Sequence, residues 1–347
     1  MPFRFGLIGA GAVADTHVLA MRVLPDVQAV AVADVNQARA RALAERHGIP
    51  EVYESADALL ANSHVDAVDI LTPHDLHLHA VRAAAKAGKH VLVEKAMAHT
   101  VAAADEMIEV CRARGVTLGV IFQNRFSAAG CALRQAVESG SLGHIFLASV
   151  SVKVQRSAEY YRRAPWRGQR PGGGVLMINA IHTLDLLQWV VGMPKRVLGR
   201  KATAVHSIDA EDLAVGLLEL DGAGTAVLQA TTAAIPEIPP ELEIHGDRGT
   251  AAVFDSRGYL GFWSSTLDQP RPLPERWSLY ASHFHEQEAT IPTQASPEPH
   301  AENIRDFVAA VREGRPPMVD GPEARKALVI VDALRRSAQR NAWVEIA

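Results

Sequence analysis

The chain has 347 residues, 48% of them hydrophobic and 21% charged, with a formal net charge of −4. That length exceeds one ordinary core and suits two domains, and the composition is that of a folded globular protein rather than a disordered one. Charges of both signs are interspersed with no basic block, which argues against a nucleic-acid partner.

Cys111 and Cys131 are the only cysteines and sit in no Cys-x-x-Cys or metal-ligand spacing. Both read as small core residues of a protein from a reducing compartment, the cytoplasm. The run Phe3 to Ala14 is apolar, and Ala12-Val13-Ala14 imitates a signal-peptidase site. Only Arg4 supplies charge there, and the glycines fall where a strand-turn-helix needs them, so the run reads as folded structure rather than a leader. No apolar run reaches transmembrane length, and no membrane association is expected.

In the first third, Phe3-Ile8, Val27-Ala33, Ala67-Leu71, His90-Val93 and Thr117-Phe122 read as short buried strands. Between them lie alanine-rich helical patterns at Ala12-Val23, Asn36-His47, Asp75-Ala87 and Val101-Arg114, with Gly48, Gly88 and Gly115 placed as C-terminal caps. Such alternation predicts a parallel sheet with helices on both faces. After Asn124 the pattern changes. A helix at Ser127-Glu138 is followed by longer alternating runs at Ile145-Val154, Leu213-Leu220, Thr225-Thr231, Leu242-His245 and Thr250-Phe254, with hairpin turns at Asp221-Gly222 and Asp247-Arg248-Gly249. A strongly amphipathic helix is expected over 179–191, an irregular excursion over 269–299, and two closing helices at 301–313 and 322–339. The expected fold is α/β plus α+β: a dinucleotide-binding domain over 1–123, then an open-faced, mostly antiparallel sheet domain with helices on one face over 124–347.

Gly9-Ala10-Gly11-Ala12-Val13-Ala14 follows the first strand and opens a helix, a G-x-G-x-x-A variant of the dinucleotide fingerprint. Gly9 permits the tight turn, Gly11 lets the backbone approach a pyrophosphate, and Ala14 lets the helix pack closely, while the amides around Ala12 and Val13 hold phosphate charge. Asp34 ends the second strand about 20 residues past the turn, where a carboxylate accepts ribose hydroxyls and repels a 2′-phosphate. NAD is therefore expected over NADP, and Arg39 and Arg41 read as solvated. Asp34 also has a second reading, as the cap of the helix starting at Asn36.

Three later segments complete a pattern: Thr72-Pro73-His74-Asp75-Leu76-His77, Gly88-Lys89-His90-Val91-Leu92-Val93-Glu94-Lys95, and Gly172-Gly173-Gly174 running to His182-Thr183-Leu184-Asp185. In this order, behind the fingerprint and ahead of Gly321-Pro322-Glu323-Ala324, they resemble the Gfo/Idh/MocA oxidoreductase family, the glucose-fructose oxidoreductase and inositol dehydrogenase group. The resemblance spans nearly the whole chain. It implies a Rossmann domain, an open-faced sheet domain and an active site between them. It implies that Lys95 lies by the nicotinamide and the reacting hydroxyl and that His182 faces the substrate and relays its proton. Thr72, Pro73 and His77 match the family's T-P-x-x-x-H turn, whose backbone lines the cofactor and whose histidine is largely structural. Asn124-Arg125-Phe126 corresponds to a stretch lining nicotinamide and substrate. The family's open sheet face is usually covered by another subunit, so a homodimer or homotetramer is expected.

The chemistry supports these roles. Oxidising a CHOH group needs a base for the hydroxyl proton, and Lys95, just past a sheet strand, can emerge at the carboxyl end where ligands bind. A charged amine there stabilises a developing alkoxide, and Glu94 can orient it. His182 and Asp185 are three apart on one helix, with Asn179 a turn before, so an imidazole there can pass the proton outward. Asp185 either takes part or only orients. Tyr161, Arg163, Trp166 and Arg167, in Tyr160-Tyr161-Arg162-Arg163-Ala164-Pro165-Trp166-Arg167-Gly168, are candidate pocket residues, since aromatic faces stack on sugars and arginines bind hydroxyls or carboxylates. A loop packed on the sheet, or a subunit interface, is the alternative.

Two departures stand out. Ala96 follows Lys95 where the family usually has proline, often after a cis peptide, and Ile178 stands where inositol dehydrogenases carry Asp. His74, His77 and His79 lack a carboxylate partner to complete a metal site, so no metal is expected. The sequence predicts an NAD-dependent dehydrogenase of a sugar or cyclic polyol (inositol-, aldose- or sugar acid-like), with Lys95 and His182 handling the hydroxyl proton. A non-catalytic NAD-sensing regulator and an NAD-dependent glycosidase on the same fold stay open, as does a nucleotide-linked or amino sugar as substrate.

Overall fold

In the computed structural model, described for residues 1–61, 64–256, 259–271 and 297–346, the chain opens on β1 (Phe3–Ile8). Then follow α1 (Ala14–Arg22), β2 (Val27–Ala33), α2 (Gln37–His47), β3 (Glu51–Tyr53), α3 (Ala56–Leu60), β4 (Ala67–Ile70), α4 (His77–Lys86), β5 (His90–Val93), α5 (Val101–Arg114) and β6 (Leu118–Val120). The strands form one parallel sheet in the order β3-β2-β1-β4-β5-β6. The order reverses beside β1, the crevice where doubly wound folds take ligands. Gly48, Gly88 and Gly115 have φ of 66°, 67° and 65°, as expected of helix caps. β3 and α3 escape the sequence reading, since three- and five-residue elements leave no period to read.

Past a turn at Gln123–Phe126 come α6 (Ala128–Glu138), β7 (Ile145–Gln155), α7 (Ala158–Arg163) and α8 (Ile181–Val191), the last entered through a π-turn at Leu176–Ala180. β8 (Arg196–Ala202), β9 (Leu213–Glu219), β10 (Thr225–Thr231), β11 (Ala233–Gly246), β12 (Gly249–Ser256) and β13 (Tyr259–Thr266) lead to α9 (Glu298–Glu313), α10 (Gly321–Arg340) and β14 (Val344–Glu345). The second sheet has the order β13-β12-β11-β7-β10-β9-β8-β14. β7 and β10 pair in parallel; the other described pairs are antiparallel. β11 is much longer than expected because Pro236, Pro239 and Pro240 hide its first half. α8 is not amphipathic as expected: Ile181, Thr183 through Gln188 and Val190 are all buried, and a helix enclosed on every side needs no polar face.

Contacts divide the chain into two units, 1–126 with 169–173 and 297–332, and 127–168 with 174–296 and 333–347. The first thus takes in α9 and the start of α10, which a boundary at residue 124 assigns elsewhere. Its core explains this: Phe3, Phe5, Leu92 and Ile121 pack with Met21, Ile304, Phe307 and Val308, and the Phe5 and Phe307 rings lie 5.9 Å apart. Burying a side chain such as Phe307 contributes about 1.5–3 kcal/mol. On the sheet's other face Leu7 and Val32 meet Val18, Leu43, Ile49 and Leu71. In the second unit α6 packs on β12 and β13, α8 on β11 and β7, and Leu334 of α10 lies against Gly199 and Gly216; Val150, Val152, Leu218, Leu228 and Ile244 of this sheet are buried. Cys111 is buried as expected, but Cys131 is exposed on α6. The excursion expected over 269–299 falls mostly outside the described residues. Among those described, no helix is long and apolar enough to cross a membrane.

Candidate active site

β1 runs straight into the glycine turn. Gly9 has φ +108°, and a Cβ there would lie 3.0 Å from both the carbonyl carbon and oxygen of Leu71, so no side chain fits. At Gly11 an added Cβ meets nothing within 4 Å; the backbone faces open space. Ala14 is fully buried, and α1 starts there behind Val13 with no side-chain cap on its amides. Asp34, at the end of β2, accepts the Ala10 and Asn36 N–H groups, each at 2.7 Å. The cap of α2 is Asn36, whose side chain accepts from the Arg39 N–H at 3.2 Å, so the capping role is not Asp34's. Each carboxylate oxygen keeps a lone pair for another donor. Thr72 Oγ1 is buried with no hydrogen-bond partner.

These features fit a dinucleotide: an open approach over Gly11, uncapped helix amides for phosphate charge, a carboxylate at the strand end for ribose hydroxyls, and a buried hydroxyl wanting a partner at the turn after β4. His77, expected to be largely structural, makes no approach to open space. It is fully buried, with Nδ1 3.1 Å from the Met97 carbonyl and Nε2 2.7 Å from that of Thr72, so it braces the turn carrying Thr72 and Pro73 from behind.

Glu94 and Lys95 follow β5 directly. Lys95 is half-buried, and its backbone N–H donates to Glu94 Oε2 at 3.0 Å. The Lys95–Ala96 peptide is cis, although alanine replaces the expected proline. The Ala96 N–H donates to His74 Nε2 at 3.2 Å, and His74 Nδ1 lies 3.0 Å from the Gly172 carbonyl. With Nε2 accepting, Nδ1 carries the ring proton. Burial pushes His74 down to about 3, helped by the neighbouring His77 and Lys95, so it stays neutral. His74 is therefore a clamp between the residue after the catalytic candidate and the glycine run, a role that sequence reasoning does not find.

Behind Lys95 lies a second feature absent from the sequence reading. His17 on α1 is fully buried, its Nδ1 2.7 Å from Asp69 Oδ2 on β4 and its Nε2 2.9 Å from Glu94 Oε1. Burial opposes its charge, yet the charge and hydrogen bond of Asp69 and then those of Glu94 raise it to about 10. Burial acts to raise the Glu94 carboxyl, but the His17 hydrogen bond and charge, with Lys95, hold it down at about 2. Burial raises Asp69 against the pull of His17.

Other expected site residues divide. Asn124 is half-buried. Arg125 is corrected: its guanidinium is fully buried and ion-paired with Glu323 at 3.2 Å, which ties it to α10 instead of a ligand. In the second unit His182 and Asn179 are half-buried, at the start of α8 and in its π-turn. Asp185 is fully buried and accepts the Gln188 amide at 3.2 Å. Tyr161 is also corrected: it is buried, and its hydroxyl lies 2.9 Å from Thr232 Oγ1. Arg163 is exposed and paired with Glu159 at 2.9 Å. Trp166 and Arg167 stay partly exposed, the Arg167 guanidinium 4.2 Å from the Tyr160 ring centre and 5.6 Å from that of Trp166.

Residues 3–122 match the family profile described as an oxidoreductase family with an NAD-binding Rossmann fold, and 131–252 match the GFO/IDH/MocA C-terminal domain. The chain belongs to the Gfo/Idh/MocA oxidoreductase family. It is an oxidoreductase with an NAD-binding Rossmann fold. It is 25% identical to the myo-inositol 2-dehydrogenase of Thermotoga maritima, over 99% of this chain and 98% of that one. It is 27% identical to the inositol 2-dehydrogenase of Rhizobium meliloti over the full length of both. The WlbA dehydrogenase of Bordetella pertussis, solved with NADH and UDP-GlcNAcA, superposes with a TM-score of 0.86 at 27% identity, over 100% of this chain and 98% of that one.

Proposed function

We propose that this oxidoreductase moves a hydride between NAD and a CHOH group of a sugar or cyclic polyol, with Lys95 and His182 handling the hydroxyl proton. The observation that carries the reading is the fixing of Lys95. It stands at the carboxyl end of β5 with its own N–H held by Glu94 and the next residue's N–H held by His74, the preorganisation that a proton-transfer group needs. Bound NAD supplies the hydride acceptor. The chain supplies the rest: a neutral Lys95 amine takes the hydroxyl proton, a charged one stabilises the alkoxide, and His182 passes the proton outward. Trp166, Arg167, Asn124 and Asn179 are the polar and aromatic groups offered to the substrate. The two inositol dehydrogenases matched along their whole length support a polyol.

A second substrate class has its own support. The WlbA structure holds a nucleotide-linked sugar acid, and Arg167 has the planar cation that pairs with a carboxylate. The open sheet face carries Val215 and Leu217 of β9 about 40% exposed, with Leu198 and Val227 in register beside Leu217. We read that face as covered in a homodimer or homotetramer.

The test is a screen of inositols, aldoses, sugar acids and UDP-linked sugars with NAD and NADP, following nicotinamide absorbance. Lys95→Ala abolishes turnover on the active substrate while NAD still binds. A variant that keeps wild-type kcat removes Lys95 from the chemistry.

A further inference from the structure

We propose that His17 is a positioning residue for Lys95: bonded at both ring nitrogens, to Asp69 and Glu94, it pins the carboxylate that holds the lysine's backbone N–H. The inference rests on the reading of Lys95 as the proton-handling group.

A carboxylate only accepts hydrogen bonds, so an imidazole between two ionised carboxylates donates from both nitrogens and is an imidazolium. His17 and Asp69 are fully buried and Glu94 is 8% exposed, so water cannot take over either bond. A buried charge left without its partner is strongly unfavourable, which makes each bond of the set depend on the others.

The network links three elements. Asp69 comes from β4, His17 from the helix that starts at the glycine turn, and Glu94 from the end of β5. The helix whose uncapped N-terminus would hold the phosphates of a bound dinucleotide is thereby fixed to the residue before Lys95. The network also acts through charge, since two carboxylates against one imidazolium leave net negative charge one residue from the amine. The other titratable groups facing it are His300 of α9, whose ring centre is 5.5 Å from that of His17, and His74 and His77, which interact electrostatically with Glu94. Burial holds these three histidines below their usual value.

His17, Glu94 and His300 also present ligand atoms within 4.8 Å of one another. Two of those atoms are already bonded together, at 2.9 Å, so the arrangement is an ion pair.

The experiment uses the full-length enzyme and the variants His17→Gln, Glu94→Gln and Lys95→Ala. Glu94→Gln keeps an acceptor for the Lys95 N–H and removes the charge, so it should fold. Nitrogen NMR of labelled histidine at pH 8, without cofactor, should show His17 with both ring nitrogens protonated. The pH dependence of Lys95 acetylation by acetic anhydride, again without cofactor, should move down by about one pH unit in Glu94→Gln, because a neighbouring anion favours the charged amine. In both His17→Gln and Glu94→Gln, kcat should fall by roughly tenfold or more and KM for NAD should change by less than about threefold, the signature of an interaction made at the reacting centre. A neutral His17 at pH 8, stoichiometric bound zinc, or an unchanged labelling profile and kcat in folded Glu94→Gln would overturn the proposal. If Lys95→Ala retains wild-type kcat, the reading of Lys95 fails. If Lys95→Ala is inactive while the other two variants match wild type, the positioning role alone fails.

Discussion

Asp34 accepts the backbone N–H of Ala10 at 2.7 Å, so the carboxylate at the end of β2 is clamped to the turn that carries the nucleotide fingerprint. A ligand phosphate entering that corner meets fixed negative charge, and like charges brought together in this way cost several kcal/mol. Asp34→Ser should therefore raise the ratio of kcat/KM with NADP to that with NAD by about 10- to 100-fold, corresponding to roughly 1.4–2.7 kcal/mol. Arg39 and Arg41 are exposed on the adjoining helix and are available to the added phosphate. An unchanged ratio would place Asp34 away from the adenosine ribose.

Where apolar runs end cleanly at glycine or charge, the sequence is legible to the residue: β1, β2, β5 and β10 have the expected bounds. The fingerprint, Glu94 and Lys95 are legible for the same reason, since local spacing puts them at strand ends. Burial of individual polar side chains is not local. Tyr161 and Arg125 have the residue types of a sugar pocket, and only tertiary packing turns them into a core hydroxyl and an internal ion pair. His17 and Asp69 are 52 positions apart, so no motif connects them. The one trace is an acid inside the apolar strand Ala67–Ile70, which a buried strand tolerates only with a partner.

Arg125 separates substrate contact from structure. As a buried guanidinium paired with Glu323, it should matter for folding and not for affinity. Arg125→Met should lower stability by about 1–3 kcal/mol, the range for a broken buried charge-assisted bond partly open to solvent on its acid side. KM for the sugar should change by less than about twofold. Urea unfolding together with steady-state kinetics distinguishes the two; a large rise in KM with unchanged stability restores Arg125 to the pocket.

The buried histidines make stability depend on pH from both sides. His17 is raised from 6.5 to about 10, so its contribution is complete below pH 6.5 and is lost as pH climbs toward 10. Glu94, lowered from 4.5 to about 2, contributes above pH 4.5 and loses that contribution as pH falls toward 2. His74 and His300, lowered by burial from 6.5 to about 3 and about 4, stabilise above pH 6.5 and cease to as pH drops through that range. Unfolding free energy should therefore peak near pH 6.5, with an alkaline slope of at most about 1.4 kcal/mol per pH unit, the value for one proton. His17→Gln should flatten that alkaline arm. Urea midpoints between pH 6 and 9.5 provide the measurement, and a flat wild-type profile there would mean that His17 is not charged.

The two glycines of the turn should fail in different ways. Gly9 needs a positive φ, and a Cβ there meets the Leu71 carbonyl at 3.0 Å. Gly9→Ala therefore strains the backbone whether or not NAD is present and should cost about 1–3 kcal/mol of stability. At Gly11 no protein atom obstructs a methyl group, so Gly11→Ala should leave the urea midpoint within about 0.5 kcal/mol of wild type, as for a substitution that touches nothing. The same methyl group stands in the approach to the pyrophosphate and blocks its contact with the backbone amides. NAD affinity, measured by calorimetry, should fall by about tenfold or more, the equivalent of at least 1.4 kcal/mol. A Gly11→Ala protein that binds NAD as wild type does would mean that the cofactor does not cross this turn, whereas loss of binding in a stable protein locates the phosphates on it.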